Sequence, residues 1–124
     1  MRLVTLFGIS ALVIGFLCAN AAAPDPNNLS CRIGPLTKAY GGTQWLVYGC
    51  DDGRSIVVIT APGNPAMPFY FFFLHGTKGM ELHGEGTGDK KVTDAAFADL
   101  RKLTDADVAD LFRQARLASR PGNP

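Results

Sequence analysis

Neither sign of charge is in excess in this chain: 12 Lys+Arg stand against 11 Asp+Glu over 124 residues. No electrostatic pull toward nucleic acid or an anionic membrane is expected from that balance. Motifs that carry chemistry are missing as well. There is no C-x-x-C for redox work and no G-x-S-x-G nucleophile elbow. No internal repeat of solenoid or propeller period is present. Histidine is scarce, with His75 and His83 alone. These gaps leave no metal or cofactor to expect and argue against an enzyme, although a small hydrolase stays in third place because catalytic groups can converge from distant positions.

What is present begins with a targeting segment. Arg2 precedes the uncharged run LVTLFGISALVIGFLC (residues 3–18), and small residues follow at Ala19, Ala21, Ala22 and Ala23. The order of charge, apolar run and small residues is that of a secretory signal, and the run is shorter than the roughly 20 residues of a permanent span. Cleavage is expected after Ala21, because cutting after Ala23 would put Pro24 at the first mature position. A lipidated Cys18 is disfavoured by the bulky Phe16 and Leu17 before it, and an uncleaved anchor is the alternative to cleavage. The reading is therefore a signal peptide over 1–21, an unstructured leader over 22–28, one domain over 29–119 and a flexible tail over 120–124. The product is exported, periplasmic or secreted, with no stable membrane anchor.

Removing that segment takes away Arg2 and Cys18. The mature chain is then formally neutral, and two cysteines remain, Cys31 and Cys50. In an oxidising compartment the pair reads as one disulfide, worth about 3 kcal/mol by loop entropy.

The remainder predicts an α+β domain: a four-stranded antiparallel meander with two C-terminal helices on one face and one disulfide. Residues 44–50 and 54–60 flank the turn Asp51-Asp52-Gly53. With Cys50 opposite Arg54, Trp45 is placed opposite Ile59, Leu46 opposite Val58 and Tyr48 opposite Ile56. The aspartate pair invites a general acid–base reading, but adjacent loop carboxylates point apart and Asp-Asp-Gly is ordinary turn chemistry. Residues 69–74 (FYFFFL) and 80–85 flank a two-residue turn at Thr77-Lys78. That register puts Tyr70, Phe72 and Leu74 beside Glu85, His83 and Glu81. It also puts His75 and His83 on opposite faces, so a shared zinc site is excluded.

SIVVIT and FYFFFL are apolar on both faces, and such strands need cover on both. Thr93 and Thr104 are candidate N-caps. Val108, Leu111, Phe112 and Ala115 form one helical stripe, preceded by Phe97, Leu100 and Leu103. Arg113, Arg116 and Arg120 near the end of the second helix suit its macrodipole and read as a solvated helix end. The helices cover one sheet face. For the other, residues 29–40 either fold over it, tethered by the disulfide, or leave an aromatic contact surface.

GEGTGDKKVT (residues 84–93) looks like a phosphate loop but fails the Walker and dinucleotide templates at Asp89. A small anion at Gly86, Gly88, Lys90 and Lys91, beside a helix N-terminus, is the alternative binding reading. The bland reading is a tight passage from sheet to helix beneath the aromatic sheet, where side chains would clash. Through YGCDDGRSIVVITAPG (residues 48–63) and GEGTGDKKVTDAAFADL (residues 84–100), the chain resembles small exported proteins of Gram-negative bacteria without an assigned activity. The resemblance implies periplasmic residence and brings no site residues.

The functional expectation is a non-enzymatic interaction or binding module using Tyr70, Phe72, Leu74 and His83, with an envelope protein or a second copy as partner.

Overall fold

The computed structural model describes residues 28–120. The expected signal peptide, all but the last residue of the leader, and residues 121–124 of the tail lie outside the described residues.

Five strands, not four, form the antiparallel meander: β1 (Ile33–Tyr40), β2 (Thr43–Gly49), β3 (Ile56–Thr60), β4 (Phe69–Gly76) and β5 (Gly79–Gly86), paired in that order. Two helices follow, α1 (Lys90–Leu100) and α2 (Asp105–Ala118). The additional strand is IGPLTKAY, which contains Gly34 and Pro35 and has little intrinsic strand character. It becomes β1 because β2 offers an open edge. The turn Gly41-Gly42, with φ of 60° and 81°, folds the chain back onto that edge. Leu36 then pairs with Val47 and Lys38 with Trp45, while a bulge between Ile33 and Leu36 absorbs the Gly-Pro pair. Residues 33–40 therefore extend the sheet instead of folding over it.

The β2–β3 register is one residue away from the sequence expectation. Trp45 pairs with Thr60, Leu46 with Ile59, Val47 with Val58 and Tyr48 with Val57. The cause is a longer loop. The Cys50 amide donates to the Ser55 carbonyl at 2.9 Å, and Asp52 holds the loop from within by accepting from the amides of Arg54 and Ser55 at 2.9 and 2.8 Å. Because strand side chains alternate, this register puts Val47 and Val58 together on the core face. The β4–β5 pairing follows the expected two-residue turn, with Phe72 opposite His83 and His75 opposite Met80.

One face of the sheet is closed by both helices around Trp45, Val47, Ile56, Val58, Phe71 and Phe73. Trp45 and Phe71 are fully buried with ring centroids 5.3 Å apart. Each such aromatic removes on the order of 150–250 Å² from water, the largest single favourable contributions in the core. The α2 stripe of Val108, Leu111, Phe112 and Ala115 is buried, as its period requires. Thr104 caps α2 in a full capping box: its hydroxyl accepts from the Asp107 amide at 3.1 Å, and Asp107 accepts from the Thr104 amide at 2.9 Å. The expected cap of α1 is corrected. Asp89 is its N-cap, whereas Thr93 sits buried one turn inside with its hydroxyl on the Lys90 carbonyl. An Asp at the strand exit reaches the first free amides before a threonine further along can.

Cys31 and Cys50 are joined in the expected disulfide, fastening the segment before β1 to the end of β2. Among the described residues no helix is long and apolar enough to cross a membrane.

Candidate functional site

On the sheet face away from the helices, pairing aligns Leu46, Ile59, Tyr70 and Glu85 in one row and Tyr48, Val57, Phe72 and His83 in the next. The aliphatic and aromatic members are half-buried by one another, and Tyr70 is 38% exposed. No strand or helix among the described residues lies over them. Leu29 and the Cys31–Cys50 disulfide border the face, closing one side of a shallow hollow of about 280 Å³ floored by Val57, Phe72 and Leu74.

The aromatic rings are stacked along this face. Tyr70 and Phe72 lie 5.7 Å apart between centroids with planes at 29°, and Phe72 and His83 lie 5.1 Å apart at 21°. Residues two apart on one strand share a face, and the β4–β5 register supplies the cross-strand partner. The β5 side is an acidic rim. Tyr70 donates its hydroxyl proton to Glu85 Oε2 at 2.8 Å, and this hydrogen bond, with slight burial and the carboxylate charge, raises the phenol pKa above its ordinary value. Glu81 Oε2 stands 3.5 Å from His83 Nε2. Along the strand positions of this face there is no Lys or Arg. The four residues expected to form the interaction face, Tyr70, Phe72, Leu74 and His83, are thus brought together.

The residues of the alternative anion reading occupy a different place. Gly86 and Gly88 are pressed against the loop before β4: a Cβ at residue 88 would overlap the Ala66 carbonyl, and one at residue 86 would overlap that of Pro68. Asp89 Oδ1 accepts from the Lys91 amide at 2.9 Å, so the helix N-terminus is met by its own carboxylate. Lys90 Nζ lies 3.4 Å from Asp94, and Lys91 points to solvent. This geometry explains the glycines by close packing.

One chemically suggestive cluster was not visible in the spacing. Asp52, Ser55 and His75 converge at the end of the β2–β3 loop. Ser55 Oγ donates to Asp52 Oδ2 at 2.5 Å and accepts from the His75 backbone amide at 3.2 Å. The imidazole itself is turned away, its Nδ1 3.5 Å from Arg54 Nη1. Ser55 is 1% exposed. A nucleophile needs a base on its hydroxyl and room for a substrate; the Asp52 carboxylate accepts the Ser55 hydroxyl proton in a hydrogen bond, but the buried hydroxyl leaves no room for a substrate. For Asp52, partial burial favours the neutral acid, but the Ser55 hydroxyl, the amides of Arg54 and Ser55 and the charge of His75 outweigh it and hold the carboxyl below its ordinary range.

His75 and His83 face opposite sides of the sheet, and the described residues hold no group of three His, Cys, Asp or Glu placed for a metal ion. Compared with known proteins, the chain matches no family model, no curated protein and no solved structure.

Proposed function

We propose that this is an exported, non-enzymatic binding module whose open sheet face docks a polypeptide of the cell envelope. The observation that carries the reading is the continuous aromatic and aliphatic surface of Tyr48, Val57, Tyr70, Phe72 and Leu74, uncovered among the described residues and edged by Glu81 and Glu85. A contiguous apolar surface rimmed by polar groups suits a contact site, and stacked aromatics are good anchors because they bury much area for little entropy. The rim chooses the partner. Two carboxylates with no Lys or Arg among the strand residues of the face disfavour a second copy laid face to face, and they suit apolar side chains flanked by Lys or Arg. Export is supported by the signal-like order of residues 1–23 and by the disulfide, which belongs to an oxidising compartment.

The test places a photo-reactive amino acid at residue 72 in the exporting host. A single specific adduct is expected, lost when Tyr70→Asp is added and weakened by Glu81→Gln/Glu85→Gln, with the fold retained and the melting temperature lowered by only a few degrees. Adducts only between copies of the chain would replace the envelope partner with self-association. Unfolding of Tyr70→Asp together with the absence of any adduct would show the face to be structural.

A further inference from the structure

A second concavity lies on the opposite side of the sheet, where α2 passes over the ends of the β2–β3 and β4–β5 hairpins. Its volume is about 420 Å³, within the range of small-molecule sites. The floor is apolar: Met80 at the start of β5, and Val108 and Phe112 on the underside of α2. Cationic groups gather at the mouth. Arg54 reaches in from the β2–β3 loop, its Nη1 3.5 Å from His75 Nδ1. Arg116 comes from α2, one turn beyond Phe112, with its Cζ 5.6 Å from the centre of that ring.

These two arginines differ from the others nearby. Arg113, also at the groove, is ion-paired to Asp110, whereas neither Arg54 nor Arg116 has a carboxylate within ion-pair distance among the described residues. The acid of the groove, Asp105, stands against Gly79 at the start of β5. Arg116 lies eleven positions along the helix from Asp105, about 16 Å along the axis. The groove therefore combines an apolar floor with two guanidinium groups that have no carboxylate partner among the described residues and can fork onto an anion.

We propose that this groove binds a small amphipathic carboxylate, its head held by Arg54 and Arg116 and its apolar body lying over Met80, Val108 and Phe112. The site is independent of the open sheet face, since core-side and outer positions alternate along each strand. The head is specified by charge and the body by area, so neither a short anion nor a neutral chain satisfies both.

Sodium decanoate, kept below its micelle concentration, is the probe, added to the isotopically labelled full-length chain as its host processes it. Saturable shifts are expected in the amide resonances of Arg54, His75, Met80 and Phe112. Arg54→Gln/Arg116→Gln is expected to weaken binding about tenfold, the loss of one or two charge-assisted hydrogen bonds. Decanol is expected to bind weaker than decanoate by a similar factor, and acetate to give no saturable shift. Both arginines are on the surface, so the double variant is expected to keep the wild-type amide spectrum elsewhere. Decanoate binding equally well to the double variant, shifts gathered instead at Tyr70 and Phe72, or no saturation up to about 1 mM would each overturn the proposal.

Discussion

Gly88 passes Ala66 so closely that any β-carbon at residue 88 would overlap the Ala66 carbonyl group. This contact fastens the exit of β5 to the loop before β4 and delivers the chain to Asp89, the cap of α1. The glycine-rich stretch is thus a packing device, and its replacement is costly. Gly88→Ala is expected to lower the unfolding free energy by about 3 kcal/mol, the upper part of the usual range for forced overpacking. Gly42→Ala, where only a φ of 81° and no neighbouring atom opposes the methyl group, costs about 1–2 kcal/mol. Urea unfolding of the two variants checks the order.

Adjacent phenylalanines of β4 have opposite fates. Phe71 is 2% exposed and packs on Trp45, whereas Phe72 faces the open side and stacks on His83. Phe71→Ala is expected to cost about 3–5 kcal/mol, and Phe72→Ala about 1 kcal/mol, the worth of one cross-strand aromatic pair. Thermal and urea unfolding measure the difference. Equal losses would mean that the second face is covered.

Asp52 ties acid stability to the β2–β3 loop. Its folded pKa lies below the ordinary 3.8, so the ionised form is the one the fold favours. The resulting stabilisation is complete above the unfolded-state value and is lost as the pH falls through the folded one. Asp52→Ala is expected to be less stable than wild type by about 1–3 kcal/mol at pH 7. The gap narrows below about pH 4. Denaturant midpoints across that range test the sign.

Removing the cross-link by Cys31→Ala/Cys50→Ala is expected to cost about 3 kcal/mol, from the loop entropy returned to the unfolded chain. Because β1 also pairs with β2 along residues 36–40, the five-stranded sheet is expected to persist. Unchanged far-ultraviolet circular dichroism with a lowered urea midpoint is the outcome to look for.

Elements governed by neighbours in the chain were legible before the fold was known. The two-residue turn at Thr77-Lys78 dictates which β4 side chain meets which on β5, and so brings Phe72 to His83. The α2 stripe follows from helical period, and its capping box needs only Thr104 and Asp107, three residues apart. The β2–β3 loop was harder. Asp52 bonds to its neighbours two and three residues on, and that side-chain bridging lengthens the loop and moves the register by one. Ordinary Asp-Gly turn preferences carry no sign of it.

The sequence by itself determined the cysteine pair, the aromatic β4–β5 hairpin and the helical cover of one sheet face, because turn chemistry and side-chain period act over a few residues. Tertiary structure alone decided that residues 33–40 become a fifth strand, since their pairing depends on the free edge of β2 more than on their own propensity. It also decided that Arg54 and Arg116 share one groove. Sixty-two positions apart in the chain, they meet only because α2 crosses the hairpin ends.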